Sequence, residues 1–381
     1  MATKPDKQAQ IIFYPTPPTS EVTSQATSHN PSQAPSPSAP INMHYYLTEG
    51  LQEAEHRVYK DNHSFAGAVK SQTTLAEAGS GGKYVVFSSV SEEQLTKIDK
   101  LRDDRYPSLR FMYLEDQQTL IVKIIASPLH EVVHREFEKI LWAKITPMGL
   151  LRDLAGMGSA RYKGIAIKKE PDSCYKPRSR AGAASWPTLA IECGVSERIG
   201  RLRVDANWWL TNSSGKVNIV VLFSVNKADR TILIEQWERE SLPNRCSEGT
   251  TPSERTTPSE HTTPSECTTP SERTTPSATL KGPKCVHTIT IAAPNNNEPN
   301  NNQPNSNDPD NDKPDNDEPN NDEPSGDEPS NEEPDNSKHI LTLEFKKVFD
   351  RDAVKDTVEA NIEFTALDLS QWAADIWHHG G

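Results

Sequence analysis

The chain has 381 residues, a formal net charge of −13, 34% hydrophobic and 7% aromatic residues, and 30 prolines. Its length admits two or three domains, but this composition is that of a globular core diluted with sequence too polar to bury one. Fourteen acids lie between 294 and 337 against one lysine, Lys313, so the rest is near neutral and a nucleic-acid ligand for the folded part is not excluded.

No run approaches the roughly twenty apolar residues that span a bilayer, and no apolar stretch of signal-peptide length follows Met1. Cys174, Cys193, Cys246, Cys267 and Cys285 are odd in number and share no CxxC spacing, which argues against a structural zinc site or a disulfide framework. An intracellular place, nuclear or cytoplasmic, is expected, with no membrane association.

In chain order, 1–43 is a Pro/Ser/Thr-rich tail expected to be disordered. Residues 44–80 are ambiguous, with a loose helix near 49–60. A short strand at 84–87 follows. Ser91 then reads as the N-cap of an acid-led helix reaching 101, since its side chain can accept from the first turn and Glu92 and Glu93 suit the positive helix end. Two apolar runs, 111–114 and 119–125, flank Glu115-Asp116-Gln117-Gln118 as a hairpin. Val133, Phe137, Ile140, Leu141 and Lys144 recur at helical spacing over 129–144.

A strand at 164–169 leads to Pro171-Asp172, and a basic loop at 173–186 carries Lys176, Arg178 and Arg180. A strand at 188–193 precedes a helix at 197–210 whose buried face is Ile199, Leu202, Ala206 and Trp209. Strands at 217–225 and 231–237 join through Asn226-Lys227-Ala228-Asp229. Within 246–283 a Thr-Thr-Pro-Ser-Glu-X unit repeats with period six, too short for a solenoid repeat and without an apolar position. A strand returns at 284–292, the acidic Asn/Pro tract fills 293–337, and 338–381 supplies a strand at 340–345 and a helix at 367–377 with Leu369, Trp372, Ala373 and Ile376 on one stripe. The reading is one folded unit, 44–245 completed by 284–292 and 338–381, around a long insertion whose closure cost grows only logarithmically with length.

Two strings carry the chemistry. Glu170-Pro171-Asp172 and Ile191-Glu192-Cys193-Gly194 each set an acid against or inside an apolar strand, where a lone carboxylate costs several kcal/mol and calls for a cation, hydrogen bonds or water. A pair of such acids makes a divalent metal a candidate occupant.

The order helix, strand with Pro171-Asp172, strand with Glu192, helix, strand resembles the core of the PD-(D/E)XK, or restriction-endonuclease-like, nuclease superfamily, and in particular its fungal members. The strings that carry the resemblance are Lys169-Glu170-Pro171-Asp172, Ile191-Glu192-Cys193-Gly194-Val195-Ser196-Glu197 and Leu202-Arg203-Val204-Asp205-Ala206-Asn207-Trp208-Trp209-Leu210, with His130-Glu131 at the first helix. It covers about 120–240. It implies an α/β fold with a restriction-endonuclease-like core, a central mixed sheet flanked by helices. It further implies a magnesium-dependent phosphodiesterase centre, with manganese as substitute, in which Asp172 and Glu192 ligate the metal and Glu131 adds a third carboxylate. The superfamily pattern places a lysine two residues after Glu192, where this chain has Gly194. Arg198 and Arg201 on the next helix, and Lys168 and Lys169 before Asp172, are the candidates to replace it, Arg201 being the catalytic choice. Arginine can stabilise charge there but cannot accept a proton.

Blander readings stand beside these. Pro171-Asp172 is also a turn sequence. Arg201 and Asp205 fit an exposed i, i+4 pair. His130 and His134 read as surface histidines, and Trp208 and Trp209 as packing rather than nucleobase stacking. The functional alternatives are a metal-dependent nuclease or a degenerate relative, a non-catalytic nuclease-like module that binds nucleic acid or protein, and a scaffold whose disordered tracts recruit protein partners.

Overall fold

A computed structural model describes residues 10–12, 43–182, 184–239, 282–293 and 339–380. Tracts 246–281 and 294–338, and most of the N-terminal tail, lie outside the described residues, and with them the readings of disorder made above. The first half contains β1 (Gln10–Ile12), α1 (Met43–Thr48), β2 (Glu55–Val58), α2 (Asn62–Glu77), β3 (Tyr84–Ser88), α3 (Glu92–Arg105), β4 (Leu109–Leu114), β5 (Thr119–Ile124) and α4 (Pro128–Ile145). Then come β6 (Leu154–Gly156), β7 (Tyr162–Lys163), β8 (Ile167–Lys169), β9 (Ser173–Pro177), β10 (Leu189–Val195), α5 (Ile199–Asn212), β11 (Ile219–Asn226) and β12 (Thr231–Arg239). The last part contributes β13 (Pro283–Ala292), β14 (His339–Leu343), α6 (Phe345–Phe349), β15 (Ile362–Thr365) and α7 (Ala366–Gly380).

The architecture is mixed α/β, with mixed sheets flanked by helices. A seven-stranded sheet runs β1-β13-β12-β11-β10-β9-β6, with β10 and β11 parallel and its other pairs antiparallel. A six-stranded sheet runs β2-β3-β5-β4-β8-β7, and β14 and β15 form a separate hairpin. One core lies between the seven-stranded sheet and α4, α7 and β14–β15. A second joins the opposite face of that sheet, through α5, to one face of the six-stranded sheet. A third covers the far face of the six-stranded sheet with α2.

Helix α5 is therefore enclosed by two sheets. That explains why it buries Val204, Trp208 and Leu210 as well as Leu202, Ala206 and Trp209, where periodicity predicted a single stripe. Capping chemistry sets α3 where it was expected: Ser91 accepts from Gln94 N and the Gln94 side chain accepts from Ser91 N. The stripe on α7 is buried throughout, and the Trp372 indole donates to the Val133 carbonyl of α4 at 3.1 Å.

Several expectations are corrected. The helix near 49–60 is absent: α1 ends at Thr48, Gly50 turns with φ +72°, and β2 and α2 follow. A Cβ on Gly50 would sit 2.6 Å from the Arg201 Cβ, so this close approach requires glycine. Residues 173–177 form β9 rather than a loop. Every residue of that strand is buried, so no alternation marks it, and the Lys176 ammonium is satisfied by the Gly182 carbonyl at 2.6 Å. The strand expected over 164–169 is reduced to β8 and lies in the six-stranded sheet, paired with β4. The strand at 340–345 stops at Leu343, and Phe345 opens α6.

Phe137 of α4 ties the first core together, with ring centroids 4.9 Å from Phe223, 5.2 Å from Phe364 and 6.2 Å from Trp372. Phe137→Ala is expected to cost about 3–5 kcal/mol, read as a lowered urea midpoint at unchanged slope. A loss below about 1 kcal/mol would show that this aromatic joint does not hold α4, β11, β15 and α7 together.

Candidate functional site

Pro171-Asp172 marks the point where the chain leaves the six-stranded sheet after β8 and enters the seven-stranded sheet at β9. Asp172 and Glu192 are both buried, at 2% and 1% exposure. Each meets a lysine delivered by the six-stranded sheet. Lys123 of β5 puts its Nζ 2.8 Å from Asp172 Oδ2 and also donates to the Cys193 carbonyl at 2.7 Å. Lys169 of β8 puts its Nζ 2.9 Å from Glu192 Oε1 and 3.1 Å from Asp205 Oδ1 on α5.

The remaining partners of the two acids differ. Asp172 Oδ2 accepts from Cys193 N at 2.8 Å and lies 3.1 Å from His130 Nε2, while Oδ1 lies 3.8 Å from Arg110 Nε and has no hydrogen-bond partner. Glu192 Oε1 accepts from the Trp209 indole at 2.6 Å. Burial alone would raise Asp172, but the charges of Lys123 and His130 hold its carboxyl well below the usual range. For Glu192 burial wins: against the pull of Lys169, desolvation and the charges of Asp205 and Asp172 push it up to about 7.

A further buried carboxylate, beyond Asp172, Glu192 and Asp205, belongs to the network. Glu197 accepts from the Tyr84 hydroxyl and lies 3.8 Å from Lys123 Nζ. It occupies the space beside Gly194, where an added Cβ would fall 3.0 Å from Glu197 Cβ and Oε2 and 3.1 Å from Leu202 Cδ1. A lysine at 194 would have to displace it. Burial pushes Glu197 up, only partly offset by Lys123.

The other site candidates are placed as follows. Arg201 is buried, at 1% exposure, and donates to the Tyr46 and Glu49 carbonyls at 2.8 and 3.2 Å. It fastens α1, and its pair with Asp205, at 3.9 Å, is buried rather than exposed. Glu131 is half-exposed at the first turn of α4, 3.4 Å from Arg110 Nη2. The imidazoles of His130 and His134 hold its carboxyl below the usual range. Those two histidines are buried, at 4% and 1%, not on the surface. Glu170 is buried between Arg102, Arg161 and the Phe111 amide, so it holds α3 and β4 in place. Lys168 pairs with Glu92 and Glu115, and Arg198 with Glu53, away from both acids. Trp208 and Trp209 are fully enclosed and offer no face to a base.

Of the predicted candidates, the structure brings Lys169 to Glu192, sets Arg201 beside their shared neighbour Asp205 at 3.9 Å, and leaves Arg198 and Lys168 paired elsewhere. Sequence reasoning passed over Lys123, although a lysine in the middle of the apolar run Thr119-Leu120-Ile121-Val122-Lys123-Ile124-Ile125 was its signal.

A magnesium ion does not fit this arrangement. Two ammonium groups stand on the two carboxylates. The nearby void lined by Lys123, Lys169, Arg201, Asp205 and Tyr84, but by neither acid, measures about 10 Å³, room for about one water, whereas magnesium keeps several waters of its own.

No family model matches the chain, and no curated protein matches it. Among solved structures it is similar to a candidate nuclease belonging to DUF820 from Anabaena variabilis ATCC 29413, at 13% identity and a TM-score of 0.26, over 32% of this chain and 70% of that one.

The raised Glu192 carboxyl has a pH signature. Below its unfolded pKa of about 4.3 the residue is neutral in both states. Between there and about 7 the unfolded chain releases a proton that the folded chain keeps, so Glu192's contribution to stability falls as pH rises. Asp172, depressed, acts oppositely: its contribution is present above about pH 4 and is lost on acidification. Urea midpoints at about pH 5 and about pH 7 should show wild type losing stability relative to Glu192→Gln. A difference between the two proteins that stays constant over that window would remove the buried, proton-retaining Glu192.

Proposed function

We propose that the folded part of this chain is a nuclease-like module of the PD-(D/E)XK type that acts by binding rather than by hydrolysis. In support of the fold reading, α4, β10, α5 and β11 come in the order that the sequence resemblance implies, with β9, after Pro171-Asp172, in place of the strand read before it, and α4 and α5 on opposite faces of the β9-β10-β11 sheet. The observation that carries the functional reading is the pair of buried lysines. Lys123 and Lys169 supply the positive charge that a metal would bring to Asp172 and Glu192. A phosphodiesterase also needs its acids open to a phosphate, and these are closed beneath the six-stranded sheet.

Nucleic acid is the first partner to test, because the resemblance is to nucleases. Lys176 and Arg180 are not free for it: the first donates to the Gly182 carbonyl and the second to the carbonyls of Trp186, Pro187 and Lys216 and to Asp350. One observation favours a second reading, hydrolysis after rearrangement: Asp172 Oδ1 is a buried acceptor without a hydrogen bond.

The deciding experiment incubates the purified full chain with single- and double-stranded DNA and with RNA, in magnesium and in manganese, and measures anisotropy of labelled strands in parallel. The expected result is no cutting by wild type, Asp172→Asn or Glu192→Gln, with any strand binding weakening steeply as salt rises. Cutting by wild type that both substitutions abolish would replace the binding module with a metal-dependent nuclease.

A further inference from the structure

The first turns of α4 hold a cluster that neither the two acids nor the packing of the helix accounts for. His130 and His134, one helical turn apart, present their rings to each other with centroids 5.6 Å apart. Three of their four ring nitrogens, His130 Nδ1 and both of His134, are buried without a hydrogen bond. Two of them face the Glu131 carboxylate without a well-formed bond and His134 Nδ1 has no partner; a buried orphan costs about 1–3 kcal/mol, and folded proteins seldom leave one unexplained. Glu131 sits between them, with Oε2 3.2 Å from His134 Nε2 and Oε1 3.7 Å from His130 Nδ1. One ligand atom from each of the three residues falls within 4.8 Å of the other two.

We propose that His130, Glu131 and His134 form a zinc site, a place for a borderline divalent transition-metal ion at the start of α4. It is distinct from the Asp172–Glu192 pair and does not depend on whether the chain binds or cuts nucleic acid. Two imidazoles and a carboxylate are a donor set for zinc, whereas magnesium wants oxygen alone.

The proton bookkeeping agrees. His130 Nε2 lies 3.1 Å from both the Cys193 carbonyl and Asp172 Oδ2, which are acceptors, so Nε2 carries the hydrogen and Nδ1 is left with the lone pair a metal needs. Asp172 then acts as a positioning residue that orients a ligating imidazole, the arrangement that commonly backs metal-bound histidines. Arg110 holds Glu131 Oε1 at 3.4 Å, and Oε2 is the oxygen turned toward His134.

Tetrahedral zinc places its donors about 3.4 Å apart, so the cluster must tighten. Glu131 is half-exposed and already 3.2 Å from His134 Nε2, so these two are the groups that close on an ion. Through that exposed edge of Glu131 the cluster borders solvent.

The test uses the untagged, chelator-treated full chain titrated with cobalt(II), whose visible absorption reports imidazole coordination. One saturable equivalent is expected, displaced by zinc but not by excess magnesium. His134→Ala and Glu131→Gln should each weaken it by about tenfold or more, while His378→Ala/His379→Ala leaves it unchanged. Because His134 is buried, its variant is read only if thermal unfolding matches wild type; Glu131 is half-exposed, and Glu131→Gln decides alone if His134→Ala does not fold. No visible absorption, or unchanged affinity in Glu131→Gln, overturns the site, the second outcome placing the ion elsewhere in the chain.

Discussion

Neutralisation of two buried acids by two buried lysines is the constraint on which the rest of this structure turns. The carboxylates belong to the seven-stranded sheet and its approach, the ammonium groups to the six-stranded sheet, and neither set can be dry without the other. A buried ion pair is weak evidence of net stability, yet removing one partner leaves a charge stranded at a cost of about 3–5 kcal/mol. The two sheets are thus locked in one relative position: sliding one past the other would strand Lys123, Lys169 and the Asp172 carboxylate and leave the Glu192 carboxyl without its partner. Asp205 and Glu197 extend the same logic, each sharing a lysine already committed to a motif acid.

Helix α5 is the mechanical consequence. It is covered on both sides, so its tryptophans are packing residues and its arginines are spent indoors or on neighbours: Arg201 on α1 carbonyls, Arg203 on Glu235. Gly194 fits the same picture. Its missing side chain admits Glu197 toward Lys123 and Tyr84, so the cation beside this acid arrives from another strand.

Asp172 has a second partner in His130, which links the lysine network to the start of α4. The centre therefore grades from a dry interior at Glu192, where an acid retains its proton to about 7, to a wetter margin at Glu131. Chemistry that needs solvent access belongs at that margin rather than at the deepest acids.

The sequence alone determined the elements whose signal is local. Capping at Ser91, the α4 and α7 stripes and the strand read over 231–237 follow from periodicity and from side chains competing for helix-end amides, interactions made within a few residues. It also flagged Glu192, because a charge inside an apolar run is visible without a fold, whereas Asp172, set beside a strand, read equally as a turn. Only the tertiary structure decided what those acids meet. Lys123 lies 49 residues from Asp172, and no local rule joins them. Strand β9, buried throughout, had no alternation to read. The burial of His130 and His134 likewise arises from elements remote in sequence closing over α4. Electrostatic partnership in a dry interior depends on distance in space and on the exclusion of water, and a linear chain encodes neither until its sheets have packed.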